Sequence, residues 1–178
     1  MLKKYIQSVR WLFVIAIVII ILDQVTKALI RANLAYGEIW APWDWMLPYA
    51  RLIHITNTGV AFGLFKGANL IFMFLAIIVS IGIIYYYPMV PKEDRVIRLA
   101  LSLQLAGAVG NLVDRIRLGQ VTDFISVGTF PVWNVADSSI TIGVFILLLG
   151  VWLQERREKN RSKSSNSEQP IHESGSEN

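Results

Sequence analysis

The chain has no cysteine, two histidines and few charges: 17% of its 178 residues are Asp, Glu, Lys or Arg. Each shortage removes some chemistry. Without cysteine there is no disulfide framework, thiolate metal site or cysteine nucleophile. With only His54 and His172, a histidine-based triad or a histidine-rich metal site is not expected. No glycine-rich phosphate loop follows a strand pattern. Ser126, Ser138 and Ser139 would need Lys27 or Lys66 as a base, and no nucleophile motif surrounds them. Soluble domains average ~45–50% apolar and ~25% charged residues. Here 54% of residues are hydrophobic and the mean hydropathy is +0.48. An ordinary soluble domain and a wholly disordered chain are both excluded.

What is present is a set of charge-free runs at 11–22, 67–87, 99–113 and 138–154. A spanning helix needs ~20 mostly apolar residues, with ~17 as the lower limit. The second run meets this outright, and the fourth lies at the limit. The first and third meet it only with ionisable residues inside or at the edge of the membrane. The expected fold is an all-α membrane protein with four transmembrane helices at about 11–30, 67–87, 96–114 and 137–154, forming one domain over 1–154. No internal repeat is visible.

Orientation follows from Lys and Arg in the connections. Lys3, Lys4 and Arg10 precede the first span, Lys92, Arg95 and Arg98 join the second to the third, and a basic group from Arg156 to Lys163 follows the fourth. The opposite side carries fewer: Arg31, Arg51, Lys66, Arg115 and Arg117. Both termini are expected in the cytoplasm, with the 31–66 and 115–136 loops outside. The net charge of +4 then reports orientation, and no nucleic-acid partner is expected. A cleavable leader is not expected either, since Asp23-Gln24-Val25-Thr26-Lys27 follows Leu22 in place of a small-x-small site. The stretch 155–178 is polar and is expected to be a disordered cytoplasmic tail, with His172 inert.

The outer loop crowds Tyr36, Trp40, Trp43, Trp45 and Tyr49 around Pro42 and Pro48. Such residues favour the headgroup region, so 38–50 reads as an interfacial segment. Arg51-Leu52-Ile53-His54-Ile55-Thr56 alternates as a short strand would. A small extracytoplasmic β-element is therefore expected between helices one and two.

The placement of acids carries the most information. Once those of the tail, connections and outer loop are set aside, Asp23, Asp114, Asp123 and Asp137 remain. Each lies at the outer end of a span or in the outer loop between spans three and four. An ionisable residue costs ~2.5–3.5 kcal/mol at a span's centre and is a functional candidate by default. Asp23 and Lys27 have the i, i+4 spacing of an intrahelical ion pair. Ala106 and Gly110 form a small-xxx-small pair for close helix approach. Asn111 shares a face with Asp114 and Arg115, which reads as a structural or substrate-orienting cluster. Asp137 begins span four, where a helix start alone would account for it. Asp123 stands before a stretch whose Gly128 and Pro131 let the chain turn back. Two carboxylates meeting in a partly dehydrated site cannot both ionise cheaply, so one keeps a proton. Such a pair offers a base to activate water and an acid to protonate a leaving group. The distance between Asp123 and Asp137 decides whether they form one.

These residues fall in five ordered motifs: Asp23-Gln24-Val25-Thr26-Lys27; Asn57-Thr58-Gly59-Val60-Ala61-Phe62-Gly63; Gly107-Ala108-Val109-Gly110-Asn111-Leu112-Val113-Asp114-Arg115; Val121-Thr122-Asp123-Phe124; and Asn134-Val135-Ala136-Asp137-Ser138. Over about residues 10–154 the chain resembles the prolipoprotein signal peptidase (signal peptidase II) family of bacterial inner-membrane aspartic peptidases. It departs from the family's common pattern in Ala106, in Trp133 and in a shorter stretch between Asp123 and Asp137. The resemblance implies cleavage of diacylglyceryl-modified prolipoproteins just before the lipid-bearing cysteine, with Asp123 and Asp137 as the catalytic pair. It implies that Asn111, Arg115 and Asn134 line the pocket and that Asp114, Asp23, Lys27 and Asn57 support it. It implies an outer sheet cradling substrate at the membrane, and no metal or other cofactor. Lipid-modified prolipoprotein and membrane lipid are the expected partners of a monomer in the bacterial inner membrane, with the site near the outer leaflet. The alternatives are a small non-enzymatic transporter using Asp23, Lys27 and Asp114-Arg115 as an ion path, and an adaptor that binds lipoproteins without cutting them.

Overall fold

A computed structural model describes residues 2–58 and 69–167. Four helices, α1 (Leu2–Asn33), α2 (Asn69–Tyr86), α3 (Arg95–Leu118) and α4 (Val135–Ser167), carry a three-stranded sheet at one end, made of β1 (Ile39–Trp40), β2 (Ala50–Asn57) and β3 (Val121–Val127). The segments long and apolar enough to cross a membrane are Gln7–Asn33, Asn69–Met89, Arg95–Leu118 and Val135–Lys159. They contain most of the expected spans and run beyond them at several ends.

The helices are not equivalent. In α3, 61% of the apolar window is buried, against 22%, 17% and 22% in the spans of α1, α2 and α4. Helix α3 is thus the post around which the others stand. It carries the small and polar residues, while Trp11, Val18, Ile78, Phe145 and Leu148 of the outer helices face away from the protein. Lipid is as apolar as such side chains, so they gain nothing by turning inward. The helix interface is built instead by close approach. A Cβ on Gly107 would collide with the carbonyl oxygen of Ala136 and with Ile140, and one on Gly143 would lie 2.9 Å from Gln104 Cγ. Gly110 faces the Asp23 carboxylate and Ala136. The helices are thus brought together at Gly107, Gly110, Gly143 and Gly150, the last against Ile97, while Ala106 lies in the apolar core with Leu12, Tyr87, Leu101 and Leu105. At the end away from the sheet, Arg98 donates hydrogen bonds to the carbonyls of Ser8, Tyr87 and Val90, and its guanidinium stacks on Tyr87.

Helix α3 stops at Gly119, whose φ of 74° is left-handed and costs little without a Cβ. The chain enters β3 directly. β3 pairs antiparallel with β2, with Ile55 opposite Asp123 and Asn57 opposite Val121, and β1 pairs with the other edge of β2. After β3, Gly128 (φ 54°) donates its N–H to Tyr49 O, and the chain folds back so that Trp133 bridges Ile125. That return sets the start of α4 beside β3. The expected strand around Arg51–Thr56 is present within β2, and the aromatic segment before it holds β1 and a 3-10 turn (Asp44–Met46) with Trp43, Trp45 and Tyr49 exposed. His54 Nδ1 bonds to Leu34 O.

Two features differ from the sequence reading. The Val121–Val127 stretch is a strand, not a loop. Helix α4 continues through the polar stretch to Ser167, where Glu155 and Lys159 have the i, i+4 spacing that supports an exposed helix. There Arg157 also pairs with Asp94 at 3.8 Å. The remainder of the expected tail, and the Gly59–Gly63 part of the second motif, lie outside the described residues.

Candidate active site

The polar groups gather where the sheet meets α1, α3 and α4. They form two layers that share Asn111. The lower layer is an ion network. Lys27 Nζ lies 2.9 Å from Asp23 and 3.3 Å from Asp114, and donates to Asn111 Oδ1 at 3.0 Å. All three charged groups are buried. Both carboxylates also have work in the fold. Asp23 Oδ1 accepts the Ala136 N–H at the start of α4 (2.9 Å), and Asp114 Oδ2 accepts the Thr122 N–H of β3 (3.0 Å). Buried charges are tolerable only when paired and hydrogen-bonded in this way. Gln24 Nε2 links Asp23, Gly110 O and Asp114, and Arg31 donates to Thr122 Oγ1 at 2.9 Å. The network thus ties α1 and α3 to the two segments that carry Asp123 and Asp137.

Those two carboxylates form the upper layer. Asn134 Nδ2 donates to Asp123 Oδ1 at 2.7 Å, and the Asn134 backbone N–H donates to Asp137 Oδ2 at 3.2 Å. One residue therefore holds both. Asn57 Nδ2, at the end of β2, donates to Asp123 Oδ2 at 3.1 Å. Asn111 Nδ2 donates to Asp137 Oδ1 at 2.7 Å, and Asn134 Nδ2 also reaches Asn111 Oδ1 at 3.1 Å. Asp137 N–H donates back to Asn134 Oδ1 at 3.0 Å. Asn134 and Asp137 are thus the N-cap and third residue of α4 in a reciprocal capping arrangement. The helix-start role of Asp137 and its place in the carboxylate pair are both real, because the cap is what aims it.

Burial, and next the charge of Asp137, push the Asp123 carboxyl up from 3.8 to about 6, against the hydrogen bonds from Asn57 and Asn134 and the charge of Lys27. A carboxyl that keeps its proton this far up, beside a second one, is the arrangement that supplies acid and base together.

The pair opens on a cavity of about 750 Å³ lined by Phe72, Leu75 and Val79 of α2, by Asn111 and Arg115 of α3, and by Ile140 of α4. Helix α2 packs on α3, and α4 packs on α3 and α1. The cavity lies between α2 and α4. Arg115 faces this space, with its guanidinium 5.5 Å from the Phe72 ring and its Nε buried without a partner among the described residues. It does not pair with Asp114, as the sequence grouping had suggested; the cations within reach of Asp114 are Lys27 and, at 3.9 Å, Arg31. Among the described residues no group of three or more metal-ligating side chains is arranged around an ion.

The sequence residues Asp123, Asp137, Asn111, Asn134 and Asn57 are thus joined in one hydrogen-bond network, Arg115 lines the adjoining space, and Asp23, Lys27 and Asp114 form the support beneath. Sequence reasoning assigned no part to Gln24, Arg31 or Thr122. Arg31 stands four residues beyond Lys27, as Lys27 does beyond Asp23, so the helical period places all three on one face.

Fold and site together define a small polytopic membrane protein with a paired-carboxylate centre at the head of an apolar cavity. The model of the family described as signal peptidase (SPase) II matches residues 15–153, and the chain belongs to that family, a family of bacterial membrane peptidases. It is 40% identical over 156 residues to the lipoprotein signal peptidase of Halalkalibacterium halodurans, covering 85% of this chain and 98% of that one. It is 41% identical over 155 residues to that of Brevibacillus brevis, covering 84% and 99%. A solved structure described as a bacterial membrane enzyme, determined by the in meso method at 2.3 Å resolution, superposes with a TM-score of 0.75 at 29% identity, covering 92% of this chain and 95% of that one.

Proposed function

We propose that this chain removes the signal peptide from diacylglyceryl-modified prolipoproteins by cutting just before the lipid-bearing cysteine, with Asp123 and Asp137 as the catalytic pair. The observation that carries the assignment of the pair is Asn134, which holds one oxygen of each carboxylate at the mouth of an apolar cavity. In this reading the signal segment enters from lipid between α2 and α4, and its acyl chains stay outside. One carboxylate takes a proton from water, the other gives a proton to the leaving amine, and water attacks the amide without a covalent enzyme intermediate. The two titrate as a unit. Asn57, Asn111 and Asn134 fix their positions, and Arg115 lies where it can meet the substrate's main chain. Asp23, Lys27 and Asp114 keep β3 and α4 in register. No metal or other cofactor enters the reaction.

The basic connections support placing both termini in the cytoplasm and the carboxylate pair near the outer leaflet. In this reading the protein works as a monomer in contact with membrane lipid. Transport fits less well, because Asp23, Lys27 and Asp114 are closed on one another and offer no open path.

The test is mass spectrometry of the products from a diacylglyceryl-modified prolipoprotein incubated with purified protein in detergent and a chelator. The wild type is expected to release a signal peptide ending at the residue before the lipidated cysteine, and Asp137→Asn is expected to release none. Absence of cleavage by folded wild type would move the reading to the adaptor, and equal cleavage by both would return Asp137 to a capping role alone.

A further inference from the structure

Below the carboxylates the cavity is walled by Leu75 and Val79 of α2 and by Ile140 and Ile142 of α4, and α3 turns Gln104 into this apolar space. The Gln104 Nε2 group is buried and has no hydrogen-bond partner among the described residues. An unpaired buried donor is costly and calls for an acceptor that arrives later. The side chain packs on Gly143 of α4, where an added Cβ would come within 2.9 Å of its Cγ.

Gln104 precedes Asn111 by seven positions on α3, so at the helical rise it lies about 10 Å from the level of the carboxylate pair, toward the other end of the bundle. An extended peptide spans that distance in about three residues. A signal segment that crosses as a helix has to leave the helix before the bond that is cut. Its last turn then presents carbonyls without intrahelical donors, at a depth where lipid supplies none.

We propose that Gln104 is a specificity-determining residue that donates its Nε2–H to a main-chain carbonyl of the bound signal segment, about three residues before the cleaved bond, where the substrate's helix gives way to an extended strand. This rests on the signal-peptidase reading above. It makes Gln104 the element that sets how far the helix may run before the scissile bond.

The test uses synthetic diacylglyceryl-modified prolipoprotein peptides in which one backbone amide at a time, two to five residues before the cleaved bond, is replaced by an ester, whose carbonyl is a weaker acceptor. With wild type, KM is expected to rise about 3–10-fold at one position, with kcat unchanged and the other positions flat. Gln104→Leu is expected to raise KM by a similar factor on the all-amide peptide and to be indifferent to the ester, as a double-mutant cycle requires. An unchanged KM in Gln104→Leu, or ester sensitivity that persists in it, would overturn the proposal. So would a wild-type scan with no sensitive position, which needs no variant to fold. Failure of wild type to cleave the all-amide peptide is a separate result that removes the activity itself and this inference with it.

Discussion

Asp123 should weaken the fold that holds it. Its carboxyl is pushed from 3.8 to about 6 by burial and by the charge of Asp137. The folded protein therefore binds this proton more tightly than the unfolded chain does. Stability from this source is fully present below about pH 4 and is lost as pH rises through about 6. At ~1.4 kcal/mol per pH unit the loss is roughly 3 kcal/mol. Asp123→Asn removes the charge but keeps only one acceptor for the two amides of Asn134 and Asn57, which returns about 1–2 kcal/mol. The variant should be more stable than wild type above pH 6 by roughly 1–2 kcal/mol, or about 2–8 °C in Tm. As pH falls to about 4 the wild type recovers that loss while the cost of the missing acceptor stays, so the advantage should reverse to a deficit of roughly 1–2 kcal/mol. Thermal unfolding of both proteins in the same detergent between pH 4 and pH 8 measures this. A Tm difference that does not vary with pH would refute the argument, because it would mean that Asp123 titrates alike in the folded and unfolded chains.

Lys27→Met leaves Asp23 and Asp114 buried without their shared cation and should cost about 3–5 kcal/mol, read as a large fall in Tm near neutral pH. Gly107→Val drives a side chain into Ala136 and Ile140 and should cost about 1–3 kcal/mol while lowering turnover at least tenfold; Gly82→Ala, which meets no atom within 4 Å, should change neither. Asn134→Leu frees both carboxylates from their common anchor and should lower kcat about a hundredfold with little change in KM, as steady-state kinetics would show.

The helices were legible because lipid imposes a simple rule on composition, and the charge-free runs of 67–87 and 138–154 could hardly be anything else. Strand β2 was legible from its alternation. Strand β3 was not, because Val121, Thr122, Asp123 and Phe124 are all buried, so one face does not read polar and the other apolar. Its β-branched run was the signal available. The Asp123–Asp137 pair was legible as two acids in an outer loop with turn residues between them. Asn134 as their common anchor was not, since that depends on α4 beginning at Val135 and on the return strand through Trp133. Helix α4 outran the expected tail because a stretch that buries nothing can still be helical when it continues an existing helix and carries i, i+4 charge pairs. Gln104 lay in plain sight inside the third charge-free run, where a reading by charge passes over an uncharged polar residue.

The most direct measurement compares turnover of a diacylglyceryl-modified prolipoprotein by wild type, Asp123→Asn and Asp137→Asn, each first shown to be folded by its thermal transition. The account predicts that both variants fall by at least about a thousandfold, because neither acid nor base works alone. Turnover near the wild-type rate in either variant would contradict it.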